Sequence, residues 1–405
     1  MKSNTSTDHT LIIDKVEKSI KVHSWNSILP FLPTGSYLVG GYIRDIILKR
    51  VTQKIDVDIV VPFNAIEIGK KISKSIGSKL IILDQKREVV RIILDNIDVD
   101  IANQVSPTIE GDLRSRDFTI NSIAFLFDKK CLFDPLNGLK DLEISLLRTN
   151  SEINLINDPL RILRCFRFVS ELKFKIDLNL ITFIKRNKGK LYLVAKERIN
   201  NEIQKIVNGA NALDTLMELK KFNILGSDNL YEDSFFLDLK KINPAVLNQE
   251  EREKFLPIFF ISQILDVVSL EKLKFNKAEI AKTKLLRKWY FFLINRNITD
   301  LTELDRFKLH QELEMLLPSF IFYLPQNLRL DWLNRWRDKE DKLFHPSNLL
   351  NGDLIKKHLK IEDGPILGAL LQYLSKELAY KRLNNFDEAI YKAKQWIEQN
   401  APKCD

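Results

Sequence analysis

The sequence predicts an α/β head built on a small mixed sheet, followed by an all-α neck, body and tail. Short β-branched runs are confined to the first third: Ile55-Asp-Val-Asp-Ile-Val60, Lys79-Leu-Ile-Ile-Leu83, Val89-Val-Arg-Ile-Ile-Leu94 and Ile97-Asp-Val-Asp-Ile-Ala102. Alternation of this kind is the pattern of half-buried strands. Further on, apolar residues recur at helical spacing, as in Phe255 to Val268 and Lys284 to Leu293. With 13 Gly and 13 Pro in 405 residues, little of the chain is left for loops, and 45% hydrophobic content can bury more than one core.

Composition narrows the function classes. No apolar run of about 20 residues occurs, which excludes a helical membrane span. The opening MKSNTSTDHT lacks the apolar stretch of a signal peptide. Cys131, Cys165 and Cys404 fall at no metal-ligand spacing and make no disulfide framework, which suits a reducing cytoplasm, and the five histidines are dispersed. A net charge of +9 and a pI near 9.1 favour an acidic partner, nucleic acid first.

In chain order, residues 11–30 read as a basic amphipathic helix leading to Pro30 and Pro33. Tyr37 to Val61 then organises the rest. Gly40 and Gly41 allow a tight turn and close approach to a ligand. Tyr42 to Arg50 reads as a helix opening at that turn, with Arg44 and Asp45 in its first turn and free N–H groups that can face an anion. Strict alternation then puts Asp56 and Asp58 side by side on one face of a strand. Two carboxylates so placed repel unless a cation lies between them, and a hard divalent ion such as Mg²⁺, shared with substrate phosphates, fits. A glycine hairpin followed by solvated aspartates would use the same residue types. The three features in this order point instead to nucleotidyl-transfer chemistry.

Asn64 to Ile76 has helical periodicity, and the strands at 79–83 and 89–94 flank a polar turn, Asp84 to Arg87. Asp98 and Asp100 again share one strand face, and a third carboxylate beside the first pair would complete a metal site or polarise an attacking hydroxyl. Gly111 to Phe125, GDLRSRDFTINSIAF, gathers phosphate donors Arg114 and Arg116 with Asp117, Thr119 and Asn121, short polar groups suited to a ribose hydroxyl or a phosphate arm. In Asn157-Asp-Pro-Leu-Arg-Ile-Leu-Arg-Cys-Phe-Arg-Phe168, Asp158, Arg161, Arg164 and Arg167 recur every third residue along one face of a helix. Four ionisable groups on an otherwise apolar helix are costly unless something engages them.

These motifs, with Phe133-Asp-Pro-Leu-Asn-Gly138 and Val194-Ala-Lys-Glu-Arg-Ile199, resemble the class II tRNA nucleotidyltransferases, the family of tRNA CCA-adding enzymes and bacterial poly(A) polymerases. GGYIRD, DVD, DLRSRDFTIN and ERINNEI stand in that family's order, and near the end Gly352-Asp-Leu354 and Gly364-Pro-Ile-Leu-Gly368 resemble its tail. Ser115 replaces a customary arginine, and Asn157 stands where the family has glutamate. The resemblance implies a polymerase-β-like head and template-independent addition of C or A residues to the tRNA 3′ end from CTP and ATP, with release of pyrophosphate. It implies Asp56 and Asp58 as catalytic metal ligands, and Asp100 as the third carboxylate, with Asp98 the alternative. Gly40, Gly41, Arg44 and Arg116 would bind phosphates. Asp117 and Asn121 would form or support the sugar pocket. Asp158 and Arg161 would select the base, and Arg164 and Arg167 would assist.

The expected division is a catalytic head over 1–142, a base-recognising neck over 143–209, a helical body over 210–305 and a tRNA-binding tail over 306–405. Glu197 and Arg198 are expected to brace the base-reading helix, and Lys356, Lys357, Lys360, Lys381 and Arg382 to meet tRNA phosphates. Family members that add the complete CCA usually carry a longer segment between the third-carboxylate strand and DLxxRDFT. Here that segment, Ile101 to Gly111, is short. A CC-adding enzyme, a poly(A) polymerase and a non-catalytic RNA-binding protein on the same scaffold are the competing expectations.

Overall fold

The computed structural model describes residues 4–50, 54–225 and 237–400, with side chains from residue 9 onward. Its contacts divide the chain once, into Met1–Ser227 and Asp228–Asp405. The expected head and neck, with the first helix of the expected body, fall in the first unit, and the rest of the body with the tail in the second.

The first unit opens with α1 (Asn4–Val22), followed by a 3₁₀ segment, Ser24–Phe31, so the helix expected across 11–30 ends eight residues before Pro30. A seven-stranded mixed sheet follows. Its strands are β1 (Tyr37–Val39), β2 (Ile55–Val61), β3 (Lys79–Asp84), β4 (Val89–Leu94), β5 (Ile97–Asn103), β6 (Ala124–Leu126) and β7 (Cys131–Phe133), in the spatial order β3-β4-β5-β2-β1-β6-β7. Only β2 and β5 run parallel, in the register Asp56 to Asp98 and Asp58 to Asp100. The other neighbours are antiparallel, including Val39 to Asp58 and Arg91 to Asp100.

Between these strands, α2 (Gly41–Ile47) is shorter than the predicted 42–50. Helix α3 (Ala65–Ile76) ends on Gly77 with φ 68°, a left-handed cap that glycine adopts without strain. Its Ile66, Ile68 and Ile72 are buried together with Val57, Ile59, Val90 and Val99 of the sheet. Each aliphatic side chain so buried contributes ~1.5–3 kcal/mol. Val57 lies between the aspartates of β2 and Ile59 follows the second, so the alternation turns these apolar side chains inward and the carboxylates to the other face.

The chain then forms α4 (Ile109–Ser115), α5 (Gly138–Glu143), the short parallel pair β8 (Leu146–Leu147) and β9 (Lys175–Ile176), and α6 (Glu152–Asn157). Helices α7 (Leu160–Leu172), α8 (Leu178–Asn187), α9 (Lys196–Val207) and α10 (Ala212–Lys221) complete the unit. α7 buries Ile162, Leu163, Cys165, Phe166 and Phe168, leaving its arginines on the remaining face. Packing against α9 is what holds that face in place.

The second unit is helical throughout its described residues. It comprises α11 (Gln249–Ile264), α12 (Val267–Lys272), α13 (Lys277–Leu293), α14 (Glu303–Leu313), α15 (Leu317–Phe320), α16 (Gln326–Arg337), α17 (Gly352–Leu359), α18 (Pro365–Ala379) and α19 (Phe386–Asn400). Capping boxes at Asn248–Glu251 and Asn276–Glu279 start α11 and α13 earlier than hydrophobic periodicity indicates. The stretch read as one helix to Val268 is broken because Asp266 caps a new one. Trp289 is buried, with its edge toward Phe292 and its Nε1 donating to Glu312 at 2.9 Å, which is packing rather than a ligand contact.

Candidate active site

The site starts at the end of β1. Gly40 has φ 78° and ψ −141°, and a Cβ there would lie 2.8 Å from Asp58 Oδ2 and 3.3 Å from Arg116 Nη1. Glycine is required twice over, by the backbone and by the closeness of the two charged groups. Asp56 and Asp58 share the outer face of β2. Among the described residues neither accepts a hydrogen bond or forms an ion pair. Desolvation raises the Asp58 carboxyl pKa, with Asp100 and Asp56 adding to the rise and Arg116 opposing it. A carboxylate left in that state is one that a cation would stabilise.

The other two aspartates on this face are already balanced. Arg91 reaches from β4 and donates Nε to Asp100 Oδ1 at 2.7 Å and Nη2 to Oδ2 at 2.8 Å. Its Nη1 lies 3.2 Å from Asp98 Oδ2, and Lys54 Nζ lies 2.6 Å from the same oxygen. The third carboxylate thus stands in register beside Asp58 but is held by arginine, and the described residues contain no group of three carboxylate, His or Cys side chains placed as metal ligands. Strand pairing explains this, since β4 lies on the far side of β5 and points Arg91 onto the same face.

The second motif is a buried hydrogen-bond network. Thr108 caps α4 by accepting from Gly111 N at 3.3 Å. Asp112 accepts from Val105 N at 3.1 Å and from Nε and Nη2 of Arg116 at 3.3 Å, tying the loop before the helix to the arginine after it. Asp117 accepts from Arg164 Nε at 2.8 Å, Asn121 Nδ2 at 3.1 Å and Phe118 N at 2.9 Å. Burial opposes its ionisation, yet the Arg164 charge and these donors hold its carboxyl at about 2. Asn121 in turn accepts from Arg44 Nη1 at 2.6 Å, and Arg44 also pairs with Asp45 at 3.0 Å. Asp117 and Asn121 therefore support the arginines, and Arg44 is buried and largely committed to them. Arg114, expected to hold phosphate, is exposed and does not line the cleft.

The third motif closes the opposite wall. Asn154 Nδ2 donates to the Arg114 and Arg116 carbonyls at 2.7 and 2.8 Å, fastening the neck to the head. Arg161 Nη1 donates to the Ser115 carbonyl at 3.0 Å, and desolvation lowers the pKa of its guanidinium. Asp158 accepts from Arg198 Nη2 at 3.0 Å, so the brace expected from α9 is made by Arg198. Arg167 pairs with Glu202 at 3.2 Å. The guanidiniums of Arg167, Arg44 and Arg164 lie 4.4, 5.1 and 5.8 Å from the ring of Phe168, close enough for cation–π attraction.

All of these surround one cleft of about 700 Å³. It is lined by Gly40, Gly41, Arg44, Asp56, Asp58, Arg116, Asp117 and Asn121 from the head, and by Asp158, Arg161, Arg164 and Arg167 from the neck. Of the expected site residues, Asp100 and Arg114 lie outside its lining, as do Thr119 and the alternative carboxylate Asp98. Sequence reasoning missed Arg91, Lys54, Asp112 and Phe168, and also Ser19 and His23, which line the cleft from the N-terminal segment, Ser19 through a 2.8 Å contact with Tyr42. A lone arginine in the apolar run Val89 to Leu94 was a readable signal for Arg91. In the second unit, Lys356 is held by Asp353 and Asp363 at 3.0 and 3.1 Å and Arg382 by Glu303 and Glu377, so two of the five expected phosphate contacts are engaged internally.

The chain is similar in sequence and in fold to several known proteins. Residues 36–148 match the poly A polymerase head domain, and residues 173–227 match a domain described as "Probable RNA and SrmB- binding site of polymerase A". A CC-adding tRNA nucleotidyltransferase of Synechocystis sp. is 29% identical over 399 residues, covering 91% of this chain and 95% of that protein. A CCA-adding enzyme of Ligilactobacillus salivarius is 28% identical over 386 residues, covering 90% and 93%. The fold is shared with an apo CCA-adding enzyme structure (TM-score 0.72, 22% identity, 90% of this chain and 91% of that one). It is shared equally with the Thermotoga maritima CCA-adding enzyme complexed with tRNA (TM-score 0.70, 22% identity, 89% and 91%). Two matching domains in order and relatives similar along nearly the whole length lead to one conclusion: the chain is similar throughout to the class II tRNA nucleotidyltransferases and is a nucleotidyltransferase enzyme.

Proposed function

We propose that this enzyme adds C residues from CTP to the 3′ end of tRNA lacking its CCA terminus, and stops after CC. The observation that carries the transfer reading is the facing of unpaired Asp56 and Asp58 by Asp158 and Arg161 across one cleft. Members of the family generally use a divalent metal. The donor set fits one here, because two unbalanced carboxylates stand side by side, and we assign them Mg²⁺. Bound there, it would lower the pKa of the tRNA 3′-hydroxyl and offset charge on the leaving pyrophosphate.

The remaining chemistry belongs to the chain itself. Arg116, beside Gly40 and Asp58, would grip the triphosphate, with the Gly40–Gly41 turn leaving room for its backbone approach. Asp158 keeps one carboxylate oxygen free of Arg198, and it would accept the exocyclic amino group of cytosine while Arg161 donates to the adjacent ring acceptor. Uracil and guanine present a carbonyl where Asp158 needs a donor, and a buried acceptor left unpaired is a strong means of rejection. The 3′-hydroxyl oxygen attacks the α-phosphorus, the bond to pyrophosphate breaks, and the chain grows by one nucleotide.

Stopping after CC is supported by the loop between Asn103 and Thr108. It is short and its first two residues are held, by Gln104 N donating to the Val61 carbonyl at 2.9 Å and by Val105 N donating to Asp112 at 3.1 Å. A loop so fixed is poorly suited to reshaping the pocket from C to A. It is also supported by the near full-length similarity to a CC-adding enzyme. We place the protein in the cytoplasm, in keeping with Cys131 and Cys165 as free thiols. The test is to incubate full-length tRNA transcripts ending before CCA, at C and at CC with CTP or ATP and Mg²⁺. Two cytidines and no adenosine are expected. A single terminal A would make it a CCA-adding enzyme, and A-tailing of unrelated primers a poly(A) polymerase.

A further inference from the structure

Four aspartates share one face of β2 and β5, yet only two of them carry unbalanced charge. Arg91 spends both arms of its fork on Asp100, and its remaining nitrogen, with Lys54, faces Asp98. Bidentate pairing of this kind is the strongest that a carboxylate makes with a side chain. Withdrawing Asp100 would strand a guanidinium next to Asp98, which is only 4% exposed, and breaking a buried pair on one side is expensive. What remains on the face is the charge of Asp56 and Asp58, which no ion pair balances: nearby Arg116 attracts Asp58 but makes its own ion pair with Asp112.

We propose that Arg91 is a positioning residue that withdraws Asp100 from cation binding and fixes the resting face as a two-carboxylate site for a single divalent ion. A second ion then enters only with the triphosphate, whose oxygens supply the missing ligands. The inference rests on Asp56 and Asp58 being cation ligands, as proposed above, and adds what Asp100 and Arg91 do.

Mn²⁺ titrated into the full chain without nucleotide, with free ion followed by electron paramagnetic resonance, tests it. Wild type should bind one ion; Asp100→Asn, which removes a neighbouring charge, should lose at most ~10-fold, and Asp58→Asn, which removes a ligand, at least ~100-fold. Arg91→Gln frees Asp100 and should tighten binding by ~10-fold or more, the scale for removing one unit charge close to a divalent ion, while Arg91→Lys should restore the wild-type value. The proposal is overturned if Asp100→Asn costs as much as Asp58→Asn, or if a natively folded Arg91→Gln binds no more tightly than wild type. The Asp100→Asn arm decides even where Arg91→Gln does not fold. Should Asp58→Asn bind Mn²⁺ like wild type, the cation reading falls and the role of Arg91 with it. If the metal pattern holds but no cytidine is added to tRNA, only the activity reading falls.

Discussion

Replacing Gly40 by alanine separates the two reasons for glycine at the head of the cleft. At φ 78° and ψ −141°, an alanine adopts a region open essentially to glycine alone, at ~1–3 kcal/mol. For a unit of this size, ~2 kcal/mol lowers the melting temperature by roughly 4–8 °C. The new Cβ would sit 2.8 Å from Asp58 Oδ2, so that carboxylate must move by at least ~0.6 Å to reach ordinary contact. A misplacement of ~1 Å can cost 10²-fold in rate, which puts the expected fall in kcat for CTP addition at roughly tenfold. Binding of tRNA, measured by filter retention, should be unchanged, because nothing at Gly40 is assigned to it. Gly77→Ala is the internal control: at φ 68° it carries left-handed strain of its own, but its Cβ would meet nothing within 4 Å and it lies outside the cleft lining, so it should cost stability and leave kcat unchanged. Gly40→Ala with an unaltered kcat, or Gly77→Ala equally damaging to kcat, would refute the claim that this glycine positions Asp58.

Three further outcomes are expected. Asp56→Ala abolishes nucleotide transfer while tRNA affinity stays near wild type in the same filter assay; joint loss of both would mark a structural role. Arg161→Ala raises misincorporation of UMP and GMP relative to CMP more than it lowers kcat with CTP, read from extended-product ratios on gels. Asp117 is buried and its folded pKa of about 2 lies below the unfolded value, so it contributes on the order of 2 kcal/mol that is fully present above about pH 5 and fades as pH falls toward 2. Urea unfolding of the wild type and Asp117→Asn should therefore differ by at least that amount at pH 7 and converge on acidification, whereas a pH-independent gap would sink the electrostatic account.

Much of the site was legible because its signals are local. The alternation of Ile55 to Val60 fixes Asp56 and Asp58 on one face whatever the sheet order, and the spacing of Asp158, Arg161, Arg164 and Arg167 fixes a helical stripe. What the sequence hid depends on pairings between distant segments. Whether Asp100 meets a metal or an arginine is decided by β4 pairing with β5 at Arg91, a register that hydrophobic alternation alone leaves open. Likewise, Asp117 and Asn121 read as forming or supporting a sugar pocket, and only the packing of α7 and α2 around them shows that Arg164 and Arg44 claim them. Helix boundaries in the second unit shifted for a simpler reason, since caps such as Asn248 and Asp266 outweigh the apolar periodicity that follows them.

Asp112 holds a loop amide and Arg116 with a single carboxylate. Segment length and phosphate grip are therefore mechanically coupled: residues inserted between Asn103 and Thr108 would pull on the anchor of Arg116. Anyone lengthening this stretch to broaden nucleotide choice should expect a first generation of weakened variants, repaired only by a replacement counter-ion for that arginine.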